Sequence, residues 1–194
     1  MLKKISFASL VLATTLFGFE KGSLGLNINQ DDVEFEGRAS VSFITDSPVY
    51  SNFFVNGNFI NADEKLYGLG LSVENSPINY QNIVFNIGLR SVFSEHSGSD
   101  FSAMPISIGA KAQLFFGDLP TTYIGAKAAY APSALSFQDA DEYKEYRFEI
   151  DSKIIPNINI YAGYRNIDTD YKSNKTYNLS DSYYAGFKFV LDPR

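Results

Sequence analysis

At 194 residues the chain is long enough for one domain, and a formal charge of −6 leaves no basic face for a nucleic-acid partner. It has no cysteine and one histidine, His96, which excludes disulfides, thiolate catalysis and multi-histidine metal centres.

The first stretch, "MLKKISFASLVLATTLFGFEKG", reads as a targeting segment. Lys3 and Lys4 precede an apolar run from Ile5 to about Phe17, too short to span a bilayer and of the right form for a secretory signal. We take residues 1–19 as the signal peptide and 20–194 as the exported domain. Export without cysteine points to the envelope of a diderm bacterium.

From there on the dominant signal is period two. In "VEFEGRASVSF" Val33, Phe35, Gly37 and Ala39 alternate with Glu34, Glu36, Arg38 and Ser40. The same alternation runs through "QNIVFNIGLRS", "MPISIGAKAQL", "EYRFEID" and "YYAGFKFVL". About ten such runs are predicted, near 23–29, 33–44, 50–61, 64–75, 80–93, 102–116, 121–131, 143–153, 157–168 and 180–191, with eight as the fallback count. Most are near ten residues, the length of a tilted transmembrane strand, whereas strands in soluble sheets more often run about five or six.

The connections alternate in character. "TDSPV", "NSPI", "GDLP" and "IPN" are tight, while "SEHSGSD", "APSALSFQDAD" and "DTDYKSNKTYNLSD" are longer and polar. Short turns at one end and longer loops at the other are the pattern of an outer-membrane barrel. The expected fold is a single all-β transmembrane antiparallel up-and-down barrel.

Two features place the apolar face outside. The polar face mixes glycine with charges of both signs: Glu36, Arg38, Arg90, Lys111, Lys127, Glu145, Arg147, Glu149, Arg165 and Lys188. Such a face suits a narrow lumen in which opposite charges pair, and we expect Arg38, Arg90, Arg147 and Arg165 to meet Glu36, Glu145, Glu149 and Asp151. Aromatics also crowd the run ends, and Phe53, Tyr67, Tyr123, Tyr130, Tyr164 and Tyr183 are expected to form the interfacial girdle. The last run ends "FVLDPR", where Phe187, Phe189 and Leu191 supply an alternating tail for the assembly machinery to recognise.

Several stretches, taken in order, resemble a known family: "FVNGNF", "LYGLGLSV", "ISIGAKAQLFF", "YIGAKAAYAPSALSF", "EYKEYRFEI" and "PNINIYAGYRNI". The chain is similar to the YfaZ family of small bacterial outer-membrane protein precursors. The resemblance implies an exported barrel and carries no catalytic signature.

Candidate chemistry is sparse. His96 lies in "SEHSGSD" with Ser94, Glu95, Ser97, Ser99 and Asp100, but a nucleophile and base need a held scaffold and this reads as a polar loop. No G-x-S-x-G elbow occurs. Asp31, Asp32, Glu34 and Glu36 offer oxygens but not the spacing of a calcium loop. Asp139, Asp141 and Glu142 read as a loop rim and a candidate cation contact, with Leu135 and Phe137 folding back over the barrel mouth. Lys172 and Lys175 make a small basic loop. No metal site, cofactor or catalysis is expected. The expected partners are outer-membrane lipid, lipopolysaccharide and, during insertion, the barrel assembly machinery, with the protein a monomer. The expected role is structural or loop-presenting around a side-chain-filled lumen. The alternatives are a narrow pore for ions or a small solute, and a lipid-modifying enzyme.

Overall fold

The structure, a computed structural model, describes residues 22–41, 51–96, 99–115, 120–173 and 175–191. The expected signal segment, 1–19, lies outside the described residues. Among the described residues the regular structure is twelve strands and one 3-10 turn at Ser133–Leu135. The strands are β1 (Gly22–Ile28), β2 (Val33–Ser40), β3 (Ser51–Asn61), β4 (Lys65–Asn75), β5 (Ile83–His96), β6 (Ser99–Ala103), β7 (Ile106–Leu114), β8 (Thr122–Ala131), β9 (Ser136–Gln138), β10 (Ala140–Ile155), β11 (Ile158–Tyr171) and β12 (Lys175–Leu191).

Ten of these pair in the ring β1-β2-β3-β4-β5-β7-β8-β10-β11-β12, and β12 returns to β1 with Gly22 opposite Leu191 and Ile28 opposite Ala185. Every pairing is antiparallel. This is a closed up-and-down transmembrane barrel, the architecture the alternation predicts. The two remaining strands, β6 and β9, continue the outer half of β5 as a small flap.

The outward face is set by the pleat. On β5 it presents Ile83, Phe85, Ile87, Leu89, Ser91 and Phe93, the named aromatics and aliphatics mostly exposed. That row spans ten residue steps, about 33 Å along the strand and about 25 Å along the normal at a tilt near 40°, the height of an apolar belt in a bilayer. On β11 the outward row reads Ile158, Ile160, Ala162, Tyr164, then turns polar at Asn166, Asp168 and Asp170. The bilayer boundary on this side therefore falls at Tyr164.

The strands run well past that boundary. The polar stretches "SEHSGSD" and "DTDYKSNKTYNLSD" were expected as loops, but β5 and β6 continue as a hairpin to His96 and Ser99, and β11 and β12 leave only residues 172–174 between them. Beyond the belt the outward side chains need not be apolar, so the ladder continues without the hydrophobic alternation that marks it elsewhere.

Inside the overshooting end lies the apolar core. Ile60, Leu66, Val92, Phe101, Tyr143 and Ile167 are fully or almost fully buried, and Leu135, Tyr177 and Leu179 pack against them. Phe101 stacks between Tyr143 and Tyr171 at centroid distances of 6.1 and 5.4 Å. Leu135 folds inward as expected, but Phe137 does not: it is exposed, because β9 pairs with β6 and alternation turns residue 137 outward.

Close strand contact needs bare backbone at Gly70, where a Cβ would come within 2.5 Å of the Leu89 carbonyl oxygen and 2.8 Å of Arg90 Cα. Gly70→Val should lower folding stability by roughly 1–3 kcal/mol, whereas Ala126→Val, on the outward face, should leave it unchanged. Urea unfolding in lipid vesicles, read by far-UV circular dichroism, measures both.

Candidate functional site

Beneath the apolar core the lumen is crossed by a layer of arginines and acids. Arg165 on β11 is fully buried; its Nη2 donates to both Asp32 carboxylate oxygens at 2.6 Å, and its Nη1 to Glu34 Oε2 at 2.5 Å. Arg147 on β10 reaches Glu34 with two parallel bonds of 2.8 Å and donates from Nε to Glu145 at 2.5 Å. Arg90 on β5 pairs with Glu145 and donates to the Tyr143 hydroxyl at 3.0 Å. Asn27 and Asn58 donate to Glu34 at 2.8 and 2.9 Å. Glu34 thus accepts from four side chains on four strands, β1, β3, β10 and β11, which satisfies a carboxylate that burial alone would strongly disfavour.

A second group lies nearer the rim where β1 begins and β12 ends. Lys188 is shared by Glu149 and Asp151, both at 3.3 Å, and by Glu36 at 3.8 Å. On the facing wall Arg38 donates to Glu74 at 2.8 Å and lies 3.4 Å over the Phe54 ring, while Lys111 approaches Glu74 at 4.0 Å. Lys127 has no ion pair or hydrogen bond among the described residues. Between these groups lies a cavity of about 590 Å³.

All ten expected lumen charges therefore point inward, but their pairing differs from expectation. Glu145 meets Arg90 and Arg147, but Glu36, Glu149 and Asp151 gather about a lysine, and the arginines otherwise take Asp32, Glu34 and Glu74. Glu74 was legible in principle, since it shares the inner face of β4 with Gly68, Gly70 and Ser72. Asp32 was not, since it belongs to the turn before β2 and reaches the lumen only through the Asx bonds from the Asp31 and Asp32 backbone N–H groups to Asn29.

Of the expected girdle, Phe53, Tyr67, Tyr130, Tyr164 and Tyr183 lie on the outward face, with Tyr164 and Tyr183 packed at 5.3 Å and the Tyr164 hydroxyl donating to Asp181 at 2.5 Å. Tyr123 is a correction: it lines the cavity, with Lys111 Nζ 5.8 Å from its ring centre. Parity explains this, because residues 123, 125 and 127 share one face and Lys127 is inward.

The rim acids are distributed rather than gathered. Asp139 accepts from the Asp100 N–H at 3.2 Å, Asp141 from the Ser133 hydroxyl at 2.7 Å, and Glu142 from Lys144 at 2.8 Å. Lys172 donates to the Gln138 carbonyl at 2.7 Å and so braces the same loop. Asp32, offered by sequence to a cation, is occupied by Arg165. Of the serine-histidine set, Ser94 is buried beside the apolar core, and the side chains of Glu95, His96 and Ser99 lie outside the described residues, as does Ser97.

A closed ring, an apolar outward belt and a charge-crossed lumen define a small transmembrane β-barrel. The chain belongs to the YfaZ precursor family, whose model matches residues 3–191. Among solved structures, KdgM porin is similar at 6% identity and TM-score 0.43, over 87% of this chain and 98% of that one. OmpT, an outer membrane protein of Vibrio cholerae, is similar at 8% identity and TM-score 0.40, over 87% of this chain and 63% of that one. The class of this barrel rests on its own strand register and not on these likenesses. No curated protein matches the chain.

Replacing Arg165 by Met should cost about 3–5 kcal/mol, because Asp32 is left buried without a cation. Adding Asp32→Asn should restore part of the loss. Urea midpoints of the single and double variants in vesicles check this.

Proposed function

We propose that the protein is a small outer-membrane barrel with a structural or loop-presenting role and no catalytic activity. One observation carries the reading: the lumen is occluded twice, by the apolar core around Phe101 and Tyr143 and by the arginine layer directly below it. A conducting pore needs a continuous wet path, and neither layer offers one. The overshooting end, where β5, β10, β11 and β12 extend past the belt, is taken as the outer side, with its rim against lipopolysaccharide, as longer extracellular than periplasmic connections suggest.

A narrow pore is the second reading, favoured by the cavity of about 590 Å³ in the other half of the lumen. Planar-bilayer recordings of the purified protein separate the two. No steady conductance is expected, and regular channel steps would replace the first reading with the second. In cell fractions the protein should run with the outer membrane as a heat-modifiable band, and lipid A from cells with and without it should be identical by mass.

A further inference from the structure

The charges of the lower lumen balance in number but not in place. Lys188 draws three acids to the β10–β12 side. On the β7–β8 side Lys111 approaches Glu74 at 4.0 Å, an acid already bonded to Arg38, and Lys127 forms no ion pair among the described residues.

Lys127 is the more telling of the two. In the β8–β10 ladder it stands directly opposite Arg147, and like charges directly opposed destabilise a sheet. Arg147 is bonded to Glu34 and Glu145, and although Glu145 and Glu36 attract Lys127 through space, neither forms an ion pair with it. Its flanks are bare: Gly109 is its partner on β7, and Gly125 lies two residues before it. Arg38 adds donors of its own, since its Nε and Nη2 are buried without a partner among the described residues. Both Lys127 and Arg38 line the cavity, with Asn56, Asn86 and Ser107 as neutral hydrogen-bonding groups between them.

We propose that this half-lumen is a binding site for a small anion, a carboxylate or a phosphate, held by Lys127 with Lys111 and Arg38. The anion adds negative charge to a wall on which Lys127 forms no ion pair among the described residues and Lys111 has Glu74, shared with Arg38. Charge-assisted hydrogen bonds of this kind are the strong ones. The arginine layer above it is already matched by acids and does not compete. The site extends to the rim where β1 begins, so an anion reaches it from that end whether or not the barrel conducts.

The test is calorimetric titration of the full-length mature protein, refolded in detergent micelles, with inorganic phosphate in one arm and citrate in the other. Ionic strength is matched with sodium chloride, and both ligand stocks are titrated to the pH of the protein solution. Saturable binding of one anion per barrel is expected in at least one arm, and which arm responds distinguishes a phosphate from a carboxylate. Lys127→Met should weaken that binding about tenfold or more. Lys111→Met should weaken it less, and Lys144→Met, on the outward face, should not change it. Because Lys127 forms no ion pair among the described residues and stands opposite Arg147, Lys127→Met should melt no lower than the unaltered protein. No heat in either arm, or equal affinity in the Lys127→Met variant, overturns the proposal. So does a Lys127→Met variant that fails to fold, since that makes the lysine a structural cation.

Discussion

In a bilayer no backbone N–H or C=O can turn to water, so a sheet that enters one must have no edge. The seam between β1 and β12 meets that demand here. Its seven residue pairs, Gly22 with Leu191 through Ile28 with Ala185, convert a ten-strand ribbon into a ring. Everything else about the inner face follows from closure. Once the ring is shut, inward side chains share one confined volume, and each charge among them must find a counter-charge on another strand or remain hydrated in what space is left.

The barrel divides that volume by height. At the overshooting end the inward positions are apolar and aromatic, and they pack as a small soluble-protein core would. Below them the inward positions are arginine and acid, and their pairing is nearly complete. Lower still, glycines and serines replace bulk, and the wall draws back to leave a cavity. The order matters for access: water meets the charges from one side, and the apolar layer shields them from the other.

The ring strands were legible because alternation between lipid-facing and lumen-facing residues is enforced along the whole belt. The same alternation carried the inward direction of Arg38, Arg90, Lys111, Lys127, Arg147, Arg165 and Lys188. It failed where the constraint lapses. The β5–β6 hairpin tip and the start of β12 lie above the belt, where a polar outward residue costs nothing and a strand looks like a loop. Tyr123 was misplaced because an aromatic near a run end suggests the interface, although its parity with Lys127 points inward. Pairing partners were the least legible part. Which acid meets which arginine depends on strand tilt and stagger around the ring, and neighbours in the lumen such as Arg147 and Glu34 lie 113 residues apart in sequence.

The Arg147–Glu34 contact also spans the barrel's girth. It joins β10 to β2, nearly opposite one another in the ring, while Arg165 and Arg90 bridge shorter chords at the same height. Side chains have a set reach, and barrel diameter grows with strand number. A ring with one more hairpin would part these groups and strand buried charges, and one with a hairpin fewer would crowd them. The arginine layer is therefore matched to the ten-strand closure, whose diameter sets the distance these side chains must span.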